Sequence, residues 1–158
     1  MGETGAIVVH PIGWVKNERR DRRNDQWGGV VSTVLLDPAQ FDVRVVRGLE
    51  DFSHLEVLFH FDRNPPEEEC RSTCHPRDNP AWPPVGIFAQ RASARPNRLG
   101  VTRCHLLQVD GLRLTVECLD ALDGTPVLDI KPYLEEFGPR GPVRQPRWTR
   151  ELMQGYYG

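Results

Sequence analysis

No stretch of the 158 residues approaches the roughly 18 consecutive apolar residues that a membrane span requires. With 27% of the side chains charged, insertion into a membrane is not expected. An excess of one charge is missing as well. Twenty Lys and Arg stand against 22 Asp and Glu, a formal net charge of −2, so the chain is no polycation for nonspecific nucleic-acid binding, and any RNA contact must come from local patches. There is no basic start leading into an apolar run, and Met1-Gly2 is not followed by Ser or Thr at position six, so neither a secretion signal nor a myristoyl anchor is read and the expected location is cytoplasmic. No Gly-x-Gly-x-x-Gly loop follows a strand, which leaves a Rossmann-type cofactor site without support. Cysteine is sparse at four, and in an intracellular chain these read as free thiols. Long helical periodicities are few.

What remains is β-rich. Strand-like runs cover residues 6–15, 29–36, 43–46, 55–61, 85–89, 101–109, 112–119 and 127–130, separated by turn signals of which Asp110-Gly111 and Asp123-Gly124 are the clearest and both fit hairpins. With 14 Gly and 14 Pro, the pattern predicts an all-β fold, a small closed or nearly closed antiparallel barrel with long loops. A length of 158 residues supports one domain with its own core. Short helices are expected only around residues 38–41, 48–52 and 150–153. If Asp110-Gly111 is a two-residue turn, Cys104 faces Glu117 and Cys118 faces Arg103, which separates the two thiols. The same pairing puts Val101, Leu107, Val109, Leu112, Leu114, Val116 and Cys118 on the core face, and Thr102, Gln108, Arg113, Thr115 and Glu117 on the other.

Residues 63–84 form a long Pro-, Glu- and Arg-rich segment, a length associated with function or mobility. Residues 136–158 form a basic Pro/Arg-rich tail, with Arg140, Arg144, Arg147 and Arg150 before Tyr156-Tyr157, and it reads as a docking segment after a barrel domain of residues 1–135. Glu18-Arg19-Arg20-Asp21-Arg22-Arg23 is either self-neutralising or an RNA-backbone contact. Cys70-x-x-x-Cys74-His75 invites zinc, but a tetrahedral site needs a fourth ligand, and no metal is expected. His54, at a strand start, reads as structural.

The densest chemistry lies at residues 86–100, Gly-Ile-Phe-Ala-Gln-Arg-Ala-Ser-Ala-Arg-Pro-Asn-Arg-Leu-Gly. Arg91 and Arg95 sit four apart with no acid between them, able to meet a carboxylate or phosphate bidentately, and Pro96-Asn97 and Gly100 bend the backbone around them. Solvated or paired arginines are the competing reading. A second unusual run spans residues 119–134, Leu-Asp-Ala-Leu-Asp-Gly-Thr-Pro-Val-Leu-Asp-Ile-Lys-Pro-Tyr-Leu. An ordinary Asp-Gly turn accounts for Gly124, less well for Asp120 and Thr125. Asp129, Lys131 and Tyr133 read either as a buried ion pair fixing the strand or as function.

Together these runs resemble the TrmO, or TsaA-like, family of S-adenosylmethionine-dependent tRNA methyltransferases, which methylate N6-threonylcarbamoyladenosine. The family pattern is roughly Gly-x-Phe-Ala-x-Arg-x-x-x-Arg-Pro-Asn-Pro-Ile-Gly, then Leu-Asp-x-x-Asp-Gly-Thr-Pro-x-x-Asp-Ile-Lys-Pro-Tyr. The resemblance continues through residues 12–15 and the Arg-Gly-Leu-Glu-Asp-Phe-Ser-His-Leu of residues 47–55, and covers about residues 6–135. It implies a homodimeric β-barrel with the cofactor S-adenosylmethionine near the two-fold interface and tRNA as substrate. By resemblance, Arg91 and Leu99 line the cofactor site, and Asp120, Ala121, Leu122 and Asp123 cup the adenosine. Asp25, Gln26, Trp27, Arg63 and Asn64 carry over to the same site, while Arg95, Asn97, Arg98 and Lys131 reach the acceptor RNA or hold the loop. Asp129 and Tyr133 are candidates for removing the acceptor proton. Arg98 stands where the family has its second proline. Many bacterial members carry a further C-terminal domain, for which the basic tail is expected to stand in. Two other readings stay open, transfer to another acceptor and a non-catalytic S-adenosylmethionine sensor.

Overall fold

The computed structural model describes residues 5–158, so the myristoylation reading at Met1-Gly2 lies outside the described residues. Six antiparallel strands close into a barrel. In chain order these are β1 (Gly13–Lys16), β2 (Val31–Leu36), β3 (His54–His60), β6 (Leu99–Asp110), β7 (Arg113–Glu117) and β8 (Pro126–Pro132), and around the barrel they run β1-β2-β7-β6-β3-β8. A separate two-stranded ladder pairs β4 (Thr73–Cys74) with β5 (Val85–Gly86), and one short helix, α1, spans Arg147–Leu152.

The strands form where β-branched and large apolar residues alternate with polar ones. In β3, Leu55, Val57 and Phe59 are buried, between His54, Glu56, Leu58 and His60 on the outer face. Val15, Val34, Leu114, Val116 and Val127 meet them inside. Gly100 lets β6 pass the Phe59 and Phe61 rings, since a Cβ there would lie 2.5 Å from the Phe59 ring.

Several expectations give way to tertiary packing. The 101–119 hairpin turns on Gly111-Leu112, with Asp110 paired to Arg113, and a bulge at Leu107 shifts the register. Because side chains alternate every residue, that extra residue flips the parity of β6. Thr102, Cys104 and Leu106 therefore point inward, while Val101 and Leu107, expected in the core, are 41% and 45% exposed. Val109, Leu112, Leu114 and Val116 do lie on the core side. Cys104 lies one residue from the expected pairing, for it is His105 that pairs with Glu117, and Cys118 falls beyond β7 with a left-handed φ of 67°.

Asp123-Gly124 is a turn but not a hairpin, because β7 pairs with β2 and β6 whereas β8 pairs with β1 and β3. Val43–Val46 forms a 3-10 turn capped by the Asp42 carboxylate instead of a strand. Residues 87–89 wind into another 3-10 turn after β5. Residues 6–12 precede the first strand, leaving Ile7, Val8 and Val9 exposed. Residues 38–41 make only a turn. Among the described residues no helix is long and apolar enough to cross a membrane.

Candidate active site at one end of the barrel

The register places the ends of β1, β3 and β7 and the beginnings of β2, β6 and β8 at one end of the barrel. The loops 17–30, 61–98 and 118–125 all emerge there, so the long segment and both family-like runs gather by topology alone.

Asn17 organises the first loop. Its buried amide donates to Ser32 Oγ at 2.8 Å and to the Ala121 carbonyl at 2.9 Å, and its Oδ1 accepts from the Arg19 amide. Arg19, 9% exposed, is built into the fold: its guanidinium donates to the carbonyls of Arg23, Asp25 and Gln26 and lies 4.2 Å over the Trp27 ring. The other arginines of this run are paired, Arg20 with Asp123, Arg22 with Glu68 and Arg23 with Asp21. Only Arg19 and Arg23 pair with an acid of the run itself, Asp21, while acids of other loops neutralise Arg20 and Arg22, with Arg20 the most exposed of the four arginine side chains at 74%.

Leu119 and Ala121 plug the barrel end, fully buried, and thereby aim Asp120 and Asp123 outward into the loops. Asp120 accepts from Thr102 Oγ1 and from the Tyr156 hydroxyl. Asp123 accepts from the Asn17 backbone N–H at 3.1 Å and pairs with Lys16 and Arg20, and these contacts, the backbone hydrogen bond foremost, hold its carboxyl below the usual carboxylate range. Arg63 donates to the Asp123 carbonyl at 2.5 Å. Leu122, half-buried, opens the turn closed by the Thr125 amide.

The C-terminal segment lies across this end. Gln26 and Trp27 donate their amides to the Gly155 and Tyr156 carbonyls at 3.0 and 2.7 Å. Trp82 Nε1 donates to Glu151 on α1, and Arg77 grips Asp25 with two hydrogen bonds of 2.7 and 3.1 Å. Burial, then the Asp120 charge, raises the Tyr156 hydroxyl well above its ordinary pKa, so it stays protonated and donating; nearby Arg91 opposes that rise. Asn17 and Arg77 carry no site signal in the sequence, Thr102 reads only as an outer-face strand residue and Tyr156 only as part of the tail, for the partners that define them come from other segments.

In the Arg-rich loop, Arg91 donates to the Val101 carbonyl and is otherwise exposed. Arg95 is turned inward onto the Gln90 carbonyl. Arg98 donates to the carbonyl of buried Asn64 at 2.7 Å. Asn97 and Arg98 have φ of 61° and 49°, a left-handed pair closed to proline, whose φ is held near −65°. Leu99 is 48% exposed.

Asp129, Lys131 and Tyr133 stand apart from this cluster. Asp129 and Lys131 lie along β8 on the outer wall, where Asp129 pairs in register with Leu58 and Lys131 with Glu56, and Tyr133 follows the end of that strand. The Asp129–Lys131 ion pair, 2.9 Å, is exposed at 45% and 61%, which corrects the buried-pair reading. Tyr133 packs under the Arg103 guanidinium at 4.7 Å. One copy of the chain thus brings Arg63, Arg91, Asp120 and Asp123 to one end of the barrel and leaves Asp129, Lys131 and Tyr133 on its side.

The fold is a closed six-stranded antiparallel barrel that carries carboxylates and guanidiniums at one end, without the glycine-rich loop of nucleotide-binding α/β folds. The family model for the tRNA-methyltransferase O N-terminal domain matches residues 20–138, and the chain belongs to that family. It is 40% identical over 152 residues to the human tRNA (adenine(37)-N6)-methyltransferase, covering 91% of this chain and 34% of the human protein. It is 35% identical over 142 residues to a probable S-adenosyl-L-methionine-binding protein of Methanothermobacter thermautotrophicus, covering 85% of this chain and 96% of that one. A crystal structure of TrmO from P. aeruginosa superposes with a TM-score of 0.72 at 30% identity, covering 90% of this chain and 62% of that chain. The chain therefore spans only about a third of the human relative and under two thirds of the solved structure.

Proposed function

We propose that this chain is an S-adenosylmethionine-dependent methyltransferase acting on N6-threonylcarbamoyladenosine in tRNA, and that it works as a homodimer. The carrying observation is the convergence of Arg91 from one family-like run with Asp120 from the other around the Tyr156 ring, beside Asp123 and Arg63. That mixture suits a ligand bearing an ammonium, a carboxylate and a ribose, the groups S-adenosylmethionine presents. The bound cofactor supplies an activated methyl on a sulfonium. The protein's task is then chiefly to hold donor and acceptor in line: Arg91 to anchor a carboxylate, and Asp120, Ala121, Leu122 and Asp123 to cup the nucleoside.

Removal of the acceptor proton falls to Asp129 or Tyr133 in this reading, with Lys131 beside them holding the acceptor's charge. All three stand on the outer wall, Asp129 in the cross-strand row of Leu58 and of Val101, whose carbonyl Arg91 holds, and a second copy packed against that wall brings them to a bound donor. That wall offers exposed Leu99 and Val101 next to Leu58, an apolar strip suited to such packing. The tail of residues 136–158, docked on the loops through Tyr156, presents exposed Arg140, Arg144, Arg147 and Arg150 as the tRNA-facing patch.

Isothermal titration with S-adenosylmethionine, followed by tritiated methyl transfer to total tRNA containing threonylcarbamoyladenosine, tests this. Saturable binding lost in Arg91→Ala and Asp120→Ala, with label entering tRNA, is the expected result. Binding without transfer would redirect the search to another acceptor or a sensor role, and no binding would retire the reading.

A further inference from the structure

We propose that Cys70 and Cys74 form a thiol–disulfide site that takes a peroxide as oxidant and locks the Arg-rich loop when oxidised. Their sulfurs stand 2.9 Å apart, inside van der Waals contact of two sulfurs, and a disulfide at about 2.05 Å requires less than about 1 Å of travel. Both residues are partly exposed, so a small oxidant reaches them. The other two cysteines lack this arrangement. Cys104 is buried in the barrel, and Cys118 turns its sulfur to the Gly28 carbonyl.

The pair is wired to the loop of residues 90–98 from both sides. The Cys70 amide donates to the Ala94 carbonyl at 3.0 Å. Buried Gln90 donates to the Cys74 carbonyl at 2.8 Å and lies 3.4 Å from its sulfur, and the Gln90 carbonyl accepts from Arg95 at 2.8 Å. Cys74 is also held in the β4–β5 ladder opposite Val85. Joining residues 70 and 74 removes freedom from the segment against which that loop rests.

The chemistry balances without a metal. The Cys70 thiolate attacks the peroxide O–O bond, giving a sulfenic acid and hydroxide; the Cys74 thiol, kept protonated by its hydrogen bond with Cys70 and by burial, displaces hydroxide from the sulfenic sulfur and forms the S–S bond, its proton leaving with that hydroxide as water. Two thiols and one hydrogen peroxide become one disulfide and two waters, the two electrons passing from sulfur to oxygen. A dithiol reverses the step.

Arg71 lies between the two cysteines, which makes the test direct. Trypsin cutting after Arg63, Arg71 and Arg77 leaves residues 64–71 and 72–77 as separate peptides unless a disulfide joins them. The full chain, treated with hydrogen peroxide, is expected to lose the mass of two hydrogens and to yield the joined species, which dithiothreitol splits. Cys70→Ser should abolish it. Amide exchange across residues 86–98 should slow in the oxidised form. Separate peptides carrying alkylated or sulfinic cysteines, or zinc that protects both thiols while no joined species forms, would overturn the site; unchanged exchange would overturn the locking.

Discussion

Asp123 shows how a side chain that looks like part of a turn carries load in a loop cluster. Its carboxyl, held below the ordinary 3.8 by the Asn17 backbone N–H first and then by Lys16 and Arg20, binds its proton less readily in the folded chain than in the unfolded one. Between the two values the unfolded state carries the extra proton, so stability rises with pH through that window and is complete above about pH 4. Denaturant titrations should therefore show Asp123→Asn less stable than the parent at neutral pH, with the difference shrinking as the pH falls below 3.8. A difference constant down to strong acid would remove the carboxylate from this role. Nothing in the local sequence distinguishes Asp123 from any other Asp-Gly turn; its partners arrive from more than 100 residues earlier.

Among the elements, β6 shows best how little a strand-like pattern says about which face is buried. Residues 101–109 read correctly as a strand, yet the bulge at Leu107 inverts the inward set. The consequence is measurable. Leu106→Ala, which empties a buried position, should cost about 2–5 kcal/mol, while Leu107→Ser should stay within about 0.5 kcal/mol of the parent; the reverse order in urea titrations would restore the unbulged register. The tail and the loop of residues 25–28 make a second pair. A Cβ at Gly28 would sit 1.6 Å from the Tyr157 carbonyl oxygen, so Gly28→Ala must push the chain end away. Faster hydrogen exchange at the Gln26 and Trp27 amides, which now bond to the Gly155 and Tyr156 carbonyls, is the expected result, and unchanged protection would mean that the contact survives.

For the molecule as a whole, the separation between the loop cluster and the outer wall sets the outstanding question. If a second copy completes the site, sedimentation or light scattering should give twice the 18.0 kDa chain mass. Val101→Arg, placing a charge on the exposed strip, should yield a folded monomer that has lost methyl transfer. A wild-type monomer with full activity would leave Asp129 and Tyr133 without a part in it.

The β class, the closed barrel and the family were legible from residue order, because alternating apolar runs and the two dense motifs are local patterns. The family resemblance also grouped Asp120 to Asp123 with Arg91, and the fold brings Arg91 and Asp120 to Tyr156. The partners were not legible. That Arg19 is buried, that Tyr156 donates to Asp120, that Arg77 grips Asp25 and that Asp129 faces away from all of them follow from barrel closure and register. Closure brings segments as far apart in the chain as Gln26 and Gly155 into hydrogen-bonding distance, and a one-residue bulge decides which side of the wall a side chain meets.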